Sequence, residues 1–133
     1  MTDLCQHLQN LDEAGAYCLS CPIEVLRVNV MLADFVLFEV DLAESHSKGE
    51  FLAAVAKIIQ APDWFGHNFD ALFDAFTDLS WLSVSAPGYV LVLRHADDTL
   101  GLTAQDYDTL MGVFQDAAEY WKTQEKSFWV FFV

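Results

Sequence analysis

Apolar residues along the chain form short groups whose spacing alternates between that of strands and that of helices. Residues 35–41, 89–94 and 128–133 are nearly continuous apolar runs of strand length, typical of strands that are buried on both faces. Between these runs the apolar residues recur every three or four positions, as in amphipathic helices. Strands that are separated by helices pair in parallel through right-handed crossovers, so the pattern predicts an α/β fold with a small parallel sheet packed with helices.

Three of the predicted helices begin at recognisable capping residues. Ser47 stands three residues before Glu50, the spacing of a capping box, and Pro62 is placed to end the helix that follows. Asn68 and Thr103 are suitable N-cap residues for two further helices. The predicted order after the first of the three strands is therefore helix, helix, strand, helix and strand.

The residues before position 35 have weaker patterns. Three leucines have the spacing of one face of a short helix, and Gly15 is placed to end it. These leucines are Leu4, Leu8 and Leu11. A short strand is predicted at residues 16–19, and a second helix from about Pro22 to Ala33.

Length and composition indicate one cytoplasmic domain. We interpret residues 1–133 as a single domain, with a core at 35–133 and an N-terminal helix and strand extension at 1–34. No apolar run approaches the roughly 18 residues of a membrane helix, and the N-terminus lacks the basic flank and cleavage site of a signal peptide. The cysteines, which are odd in number, do not encode a complete disulfide framework. We therefore expect reduced thiols at Cys5, Cys18 and Cys21.

Acidic residues outnumber basic ones by twenty to six, which gives a formal net charge of -14. A field of this sign repels the phosphates of nucleic acids and of anionic lipids, so neither is expected as a direct ligand. It attracts a basic protein and raises the rate of encounter. The same charge would also serve solubility alone. We expect the protein to be a monomer when it is free and to bind a basic protein partner.

The sequence contains no pattern that is typical of an active site. Its four histidines are scattered, and none forms a His-x-x-x-His pair. Cys18 and Cys21 have C-x-x-C spacing, but a zinc site would need a second pair of ligands. The acidic residues lack the alternation and the turn glycine of an EF-hand loop. We therefore expect no enzymatic activity, no cofactor and no bound metal.

The candidate binding residues lie in and beside one predicted helix. On that helix Asp70, Asp74 and Asp78 fall on one ridge, roughly opposite the apolar stripe. An acidic ridge often means only a solvated face. Trp64 and Phe65, however, stand directly before it. Aromatic side chains beside acids are typical of protein interfaces, because the aromatics supply buried area and the carboxylates supply orientation.

The segment from 64 to 74 resembles the signature helix of the barstar family, the intracellular inhibitors of ribonucleases such as barnase. The shared pattern is two aromatics, Gly, any residue, Asn, any residue, Asp-Ala-Leu, an aromatic and Asp. The order of the predicted elements agrees as well. The resemblance implies a barstar-like three-stranded parallel sheet packed with helices over about residues 35–133. It also implies an inhibitor or immunity protein whose acidic helix mimics RNA phosphates in the active site of a basic ribonuclease or toxin.

The resemblance assigns roles to individual residues. Asp70 and Asp74 correspond to the two acids that enter the nuclease active site, and Trp64 or Phe65 to an aromatic that packs on a catalytic histidine there. The other interface positions that it implies are Phe73, Thr77 and Asp116.

Two positions depart from the family pattern. His67 and Asp78 stand where the family has Glu and Gly, so the identity of the target nuclease stays open. We count Asp78 among the partner-binding residues because it belongs to the acidic ridge. The alternative function is that of a barstar-fold interaction module whose basic partner is not a ribonuclease, since a fold does not determine a function.

Overall fold

The computed structural model describes residue 8 and residues 10–61, 68–79, 86–95 and 102–133. The helices and strands in these ranges are, in chain order, β1 (Ala16–Cys18), α1 (Ile23–Leu32), β2 (Val36–Asp41), α2 (Lys48–Ile58), α3 (Phe69–Asp78), β3 (Gly88–Arg94), α4 (Ala104–Thr123) and β4 (Ser127–Phe132). The predicted order of strands and helices after residue 35 is confirmed. None of the described helices is both long and apolar enough to cross a membrane.

The four strands form one parallel sheet in the order β1-β4-β3-β2. Strands β2, β3 and β4 are the three predicted from long apolar runs. Strand β1 lies at the short strand predicted for residues 16–19 and adds a fourth strand to the sheet by pairing Ala16 with Val130. The chain crosses the sheet in one direction from β2 through β3 to β4, and in the opposite direction from β1 to β2. Because such crossovers are right-handed, α1 lies on the opposite face of the sheet from α2, α3 and α4.

Each face of the sheet has its own hydrophobic core. Along β3, Tyr89, Leu91 and Leu93 pack against α2, α3 and α4, while Val90 and Val92 pack on the side of α1. All five side chains are buried, as expected of a central strand that is covered on both faces. The extension therefore packs on one face of the sheet, and the other face carries the helices that follow β2.

The structure corrects one expectation for the extension, that of reduced thiols, and leaves another largely untested. The helix predicted on the first leucines lies mostly outside the described residues, and Leu11–Glu13 forms a single 3-10 turn. Cys21 takes part in a disulfide, so the expectation of reduced thiols is wrong for this residue. An odd number of cysteines excludes a complete framework but leaves room for one bridge. Cys18 is a free, exposed thiol.

An ion pair ties the extension to the sheet. Arg27 on α1 donates from Nε and Nη2 to the two carboxylate oxygens of Glu39 on β2, at 3.0 and 2.8 Å. This hydrogen bonding lowers the pKa of Glu39 from its ordinary value of 4.5. The pKa is lower in the folded than in the unfolded chain. The ion pair therefore contributes fully to the folding stability at a pH above the ordinary pKa of the carboxyl. This contribution is lost as the pH falls through the lowered pKa of Glu39.

Glu39→Gln is expected to be less stable than the wild type at neutral pH, because it removes the carboxylate from this pair. The difference in the free energy of unfolding should shrink to zero as the pH falls through the lowered pKa of Glu39. Denaturant titrations over a series of pH values measure it. Glu44→Gln, in an exposed loop, is the matched control and should show no such convergence. A difference for Glu39→Gln that stays constant with pH would contradict the assignment.

Candidate functional site

Helix α3 begins at a capping residue and turns its acidic ridge to solvent. The Asn68 side-chain oxygen accepts a hydrogen bond from the backbone N–H of Ala71 at 2.7 Å, which confirms the predicted N-cap. The apolar stripe of the helix is buried and consists of Phe69, Leu72, Ala75 and Phe76. Asp70, Asp74 and Asp78 are exposed. The ridge predicted from the sequence is therefore present at the surface of the protein.

Core contacts hold α3 against α4. The Trp121 indole N–H on α4 donates to the carbonyl oxygen of Phe76 at 2.7 Å, in a buried position. That carbonyl belongs to the last turn of α3, where the helix itself offers no donor. The Phe76 ring lies 5.4 Å from the ring of Phe128 on β4 and 5.9 Å from that of Phe114 on α4. The position of the acidic ridge thus depends on the buried contacts of α3 with α4 and β4.

A groove of about 440 Å³ lies between α3 and α4. Asp70, Phe73 and Asp74 line it from α3, and Thr109, Gly112, Val113 and Asp116 line it from α4. Phe73 is half-buried and packs against the larger core. Asp70, Asp74 and Asp116, named here the groove carboxylates, come from two helices that are far apart in the sequence. The structure therefore brings together four of the residues that were predicted to bind a partner.

The groove carries negative charge that the described residues do not neutralise. Among these residues, no cation and no hydrogen-bond donor pairs with a side chain of the groove carboxylates. The Lys48 ammonium group at the start of α2 does not pair with a groove carboxylate. It lies 3.8 Å from the carboxylate of Asp106 and 4.5 Å from the centre of the Phe69 ring. Within the described ranges, no group of three or more side chains could hold a metal ion. Such a groove suits the cationic side chains of a partner. Their charged groups would pair with the groove carboxylates, and the apolar floor would lie beneath them.

Thr77 and Asp78 are not among the residues that line the groove. The Thr77 hydroxyl donates within α3, to the carbonyl oxygens of Phe73 at 3.0 Å and Asp74 at 3.3 Å. Threonine in a helix often bonds to the preceding turn in this way. Asp78 is exposed in the last turn of α3, one turn beyond Asp74. Trp64 and Phe65 lie outside the described residues.

Sequence reasoning found only one of the four residues on the α4 side of the groove. It identified Asp116 but missed Thr109, Gly112 and Val113. Together the four have the spacing i, i+3, i+4 and i+7, which places them on one face of a helix. The sequence contains this signal, because the residues three, four and seven positions before Asp116 share its face of the helix.

Gly112 lies in the middle of α4, where glycine is less favourable than alanine by about 0.5 to 1 kcal/mol. Apart from its chain neighbours and the backbone of its own helix turns, no atom lies within 4 Å of the place that a Cβ would take. Gly112→Ala is therefore expected to raise the free energy of unfolding by up to about 1 kcal/mol in a denaturant titration, while adding a methyl group to the groove wall. Gly49→Ala in the first turn of α2, also in open space, is a control that leaves the groove unchanged. A loss of stability in Gly112→Ala would show that the glycine is needed by the fold itself.

The chain matches a known protein family over most of its length. The family described as Barstar (barnase inhibitor) matches residues 35–133, a stretch that contains β2, β3, β4 and both helices of the groove. Members of this family are inhibitors rather than enzymes. A comparison with curated proteins found no match.

Proposed function

Because the chain belongs to the barstar family, we propose that it inhibits a basic ribonuclease by covering its active site with the groove between α3 and α4. The observation that carries this proposal is the convergence of the groove carboxylates on one groove with an apolar floor. A ribonuclease active site holds cations that bind RNA phosphates. Carboxylates on the inhibitor are negatively charged like RNA phosphates and are therefore attracted to the same cations.

The two helices supply different parts of the interface. Asp70 and Asp74 lie one turn apart on α3 and enter the cationic site, while Asp116 approaches from α4. Phe73 supplies an apolar surface between them for the stems of long basic side chains. Because α3 is already held on α4 by the Trp121 hydrogen bond, little conformational freedom is lost on binding.

Further residues border this interface in the proposal. Thr77 and Asp78 lie at the C-terminal end of α3 and contact the rim of the nuclease. Trp64 or Phe65 packs on a catalytic histidine, the role that the family pattern gives to an aromatic at this position. We place the inhibitor in the cytoplasm, where an immunity protein protects the RNA of the cell that makes the toxin.

A titration of nuclease activity tests the proposal. Barnase is the first target to try, followed by a panel of other basic microbial ribonucleases, with RNA hydrolysis as the readout. An active-site inhibitor should reduce hydrolysis linearly and abolish it at one equivalent. If none of these enzymes is inhibited, the proposal is wrong. Binding of a basic nuclease without any loss of RNA hydrolysis would instead support the interaction-module alternative.

The rate of association is expected to fall as salt is added, because the net charge of -14 steers the partner. The screening length drops from about 10 Å at 0.1 M to about 3 Å at 1 M ionic strength. Stopped-flow measurements over this range should show a large change in the association rate and a smaller one in the dissociation rate. Glu44→Ala removes one charge from an exposed loop outside the groove and should keep most of the salt dependence. An association rate that is indifferent to salt would exclude steering by the acidic surface.

A further inference from the structure

Helix α1 has an apolar face on its solvent side as well as on its core side. Leu26 and Val30 are buried against the sheet. Of the six large hydrophobic side chains that are most exposed among the described residues, four lie on this ten-residue helix. These are Val25, Val28, Met31 and Leu32, exposed by 36%, 49%, 68% and 72%. Their spacing places them within about one third of the helix circumference. We name these four residues the α1 patch.

An exposed acidic residue lies at each end of the α1 patch. Residues 1–34 contain five acidic residues and a single basic one, Arg27. The Arg27 guanidinium is bound by both carboxylate oxygens of Glu39, so its charge is neutralised. Glu24 in the first turn of α1 and Asp34 just after its end are exposed at the two ends of the patch. A partner that covers the patch therefore meets an apolar strip with negative charge at both ends.

We propose that the α1 patch is a docking site for an amphipathic helix of another protein, whose apolar stripe is flanked by lysine or arginine. The apolar residues of the patch recur with the helical spacing that lets two helices pack along each other. Basic residues beside the partner's stripe pair with Glu24 and Asp34 and are attracted by the net charge of the chain.

A second copy of this chain fits the patch poorly. Two copies would bring acidic ends together, and each carries a net charge of -14. A ten-residue helix is about 15 Å long and 10 Å wide, so its outer face is far smaller than the roughly 800 Å² per partner of a standard stable interface. A basic helix is attracted to the acidic protein by its opposite charge, and this attraction adds to the small apolar area of the patch.

The α1 patch and the groove lie on opposite sides of the sheet. The patch is on the helix that packs with Val90 and Val92, whereas the groove is formed by helices that pack with Leu91 and Leu93. A helix on the patch therefore leaves the groove open. The protein would hold two basic partners at once, and the inference does not depend on the identity of the groove's partner.

Two synthetic peptides test the proposal with the full-length chain. One is a helix of leucine and lysine with leucines at i, i+3, i+4 and i+7, and the other has glutamate in place of lysine. Fluorescence anisotropy should show binding of the lysine peptide and none of the glutamate peptide. The double substitution Val28→Gln with Leu32→Gln leaves the charge unchanged and should weaken binding by about tenfold or more. Its thermal melting should match the wild type, because both side chains are exposed.

The matched control is Asp70→Asn with Asp74→Asn, which removes two charges from the groove and leaves the patch intact. It should change the affinity for the lysine peptide by about twofold to threefold at most, through the general field alone. If this control weakens binding more than the patch variant does, or if the lysine peptide does not bind, the proposal is wrong. A wild-type dimer in sedimentation that the patch variant abolishes would also overturn it, in favour of a second copy. Patch-dependent binding to phosphatidylcholine vesicles would overturn it in favour of a lipid surface.

Discussion

Replacing Asp74 with alanine is expected to weaken binding to the cognate ribonuclease by about 2 to 5 kcal/mol, which is roughly 30-fold to several thousand-fold in affinity. In the proposed complex the Asp74 carboxylate enters a cationic pocket that excludes water. Its removal leaves the cations of the nuclease buried without a counter-charge, and that penalty is added to the lost contact. Titration calorimetry or inhibition of RNA hydrolysis measures the loss.

The stability of Asp74→Ala should stay the same or rise slightly. Asp74 is exposed, and it lies four residues from both Asp70 and Asp78 on the same helix. Like charges at this spacing repel by a few tenths of a kcal/mol per pair, so their removal does not weaken the fold. Glu44→Ala is the control for the change in net charge and should keep its affinity within about threefold. If Asp74→Ala loses stability but keeps its affinity, Asp74 is a structural residue and the groove is not the inhibitory surface.

Replacing Phe76 with alanine is expected to lower the free energy of unfolding by about 3 to 5 kcal/mol. The Phe76 side chain is 1% exposed, and its ring contacts those of Phe114 and Phe128. Truncation leaves a cavity at the place where α3, α4 and β4 meet, and the neighbouring rings cannot close it without moving the helices. A denaturant titration measures this loss, and Phe76→Leu should lose clearly less because it keeps most of the volume.

Phe73→Ala is the matched control for Phe76→Ala. Phe73 is half-buried and lines the groove, so its truncation should cost less stability and more affinity than that of Phe76, compared under conditions where both variants are folded. The pair thus separates residues that position the groove from residues that contact the partner. Equal losses of stability in the two variants would show that Phe73 belongs to the core to the same degree as Phe76.

Local signals made the fold largely predictable from the sequence. The N-caps at Asn68 and Thr103 were predicted from single residues, and both accept the expected backbone hydrogen bond in the structure. The strands after residue 35 were predicted from apolar runs, because a strand buried on both faces has apolar residues at nearly every position. Capping and burial act within a few residues, so a single sequence shows them directly.

The groove and the fourth strand depend on contacts between distant parts of the chain. The bond from Trp121 to Phe76 sets α4 beside α3, and only this placement brings Thr109 and Val113 opposite Asp74. Strand β1 has only three residues, too few for a pattern that identifies its neighbour. The disulfide of Cys21 also depends on which cysteines come together in the folded chain, and the number of cysteines in the sequence does not determine this.

The strand order has a consequence for how the protein is made. Strand β4 lies between β1 and β3, although it is translated after both of them. While the ribosome is still making the chain, β1 has no neighbour to pair with, and the aromatic residues of β4 that will face α1 are not yet present. The extension is synthesised first and takes its place in the sheet only when β4 has emerged. Until then the side chains of α1 and β3 that pack with β4 lack this partner and are open to chaperones and to other nascent chains.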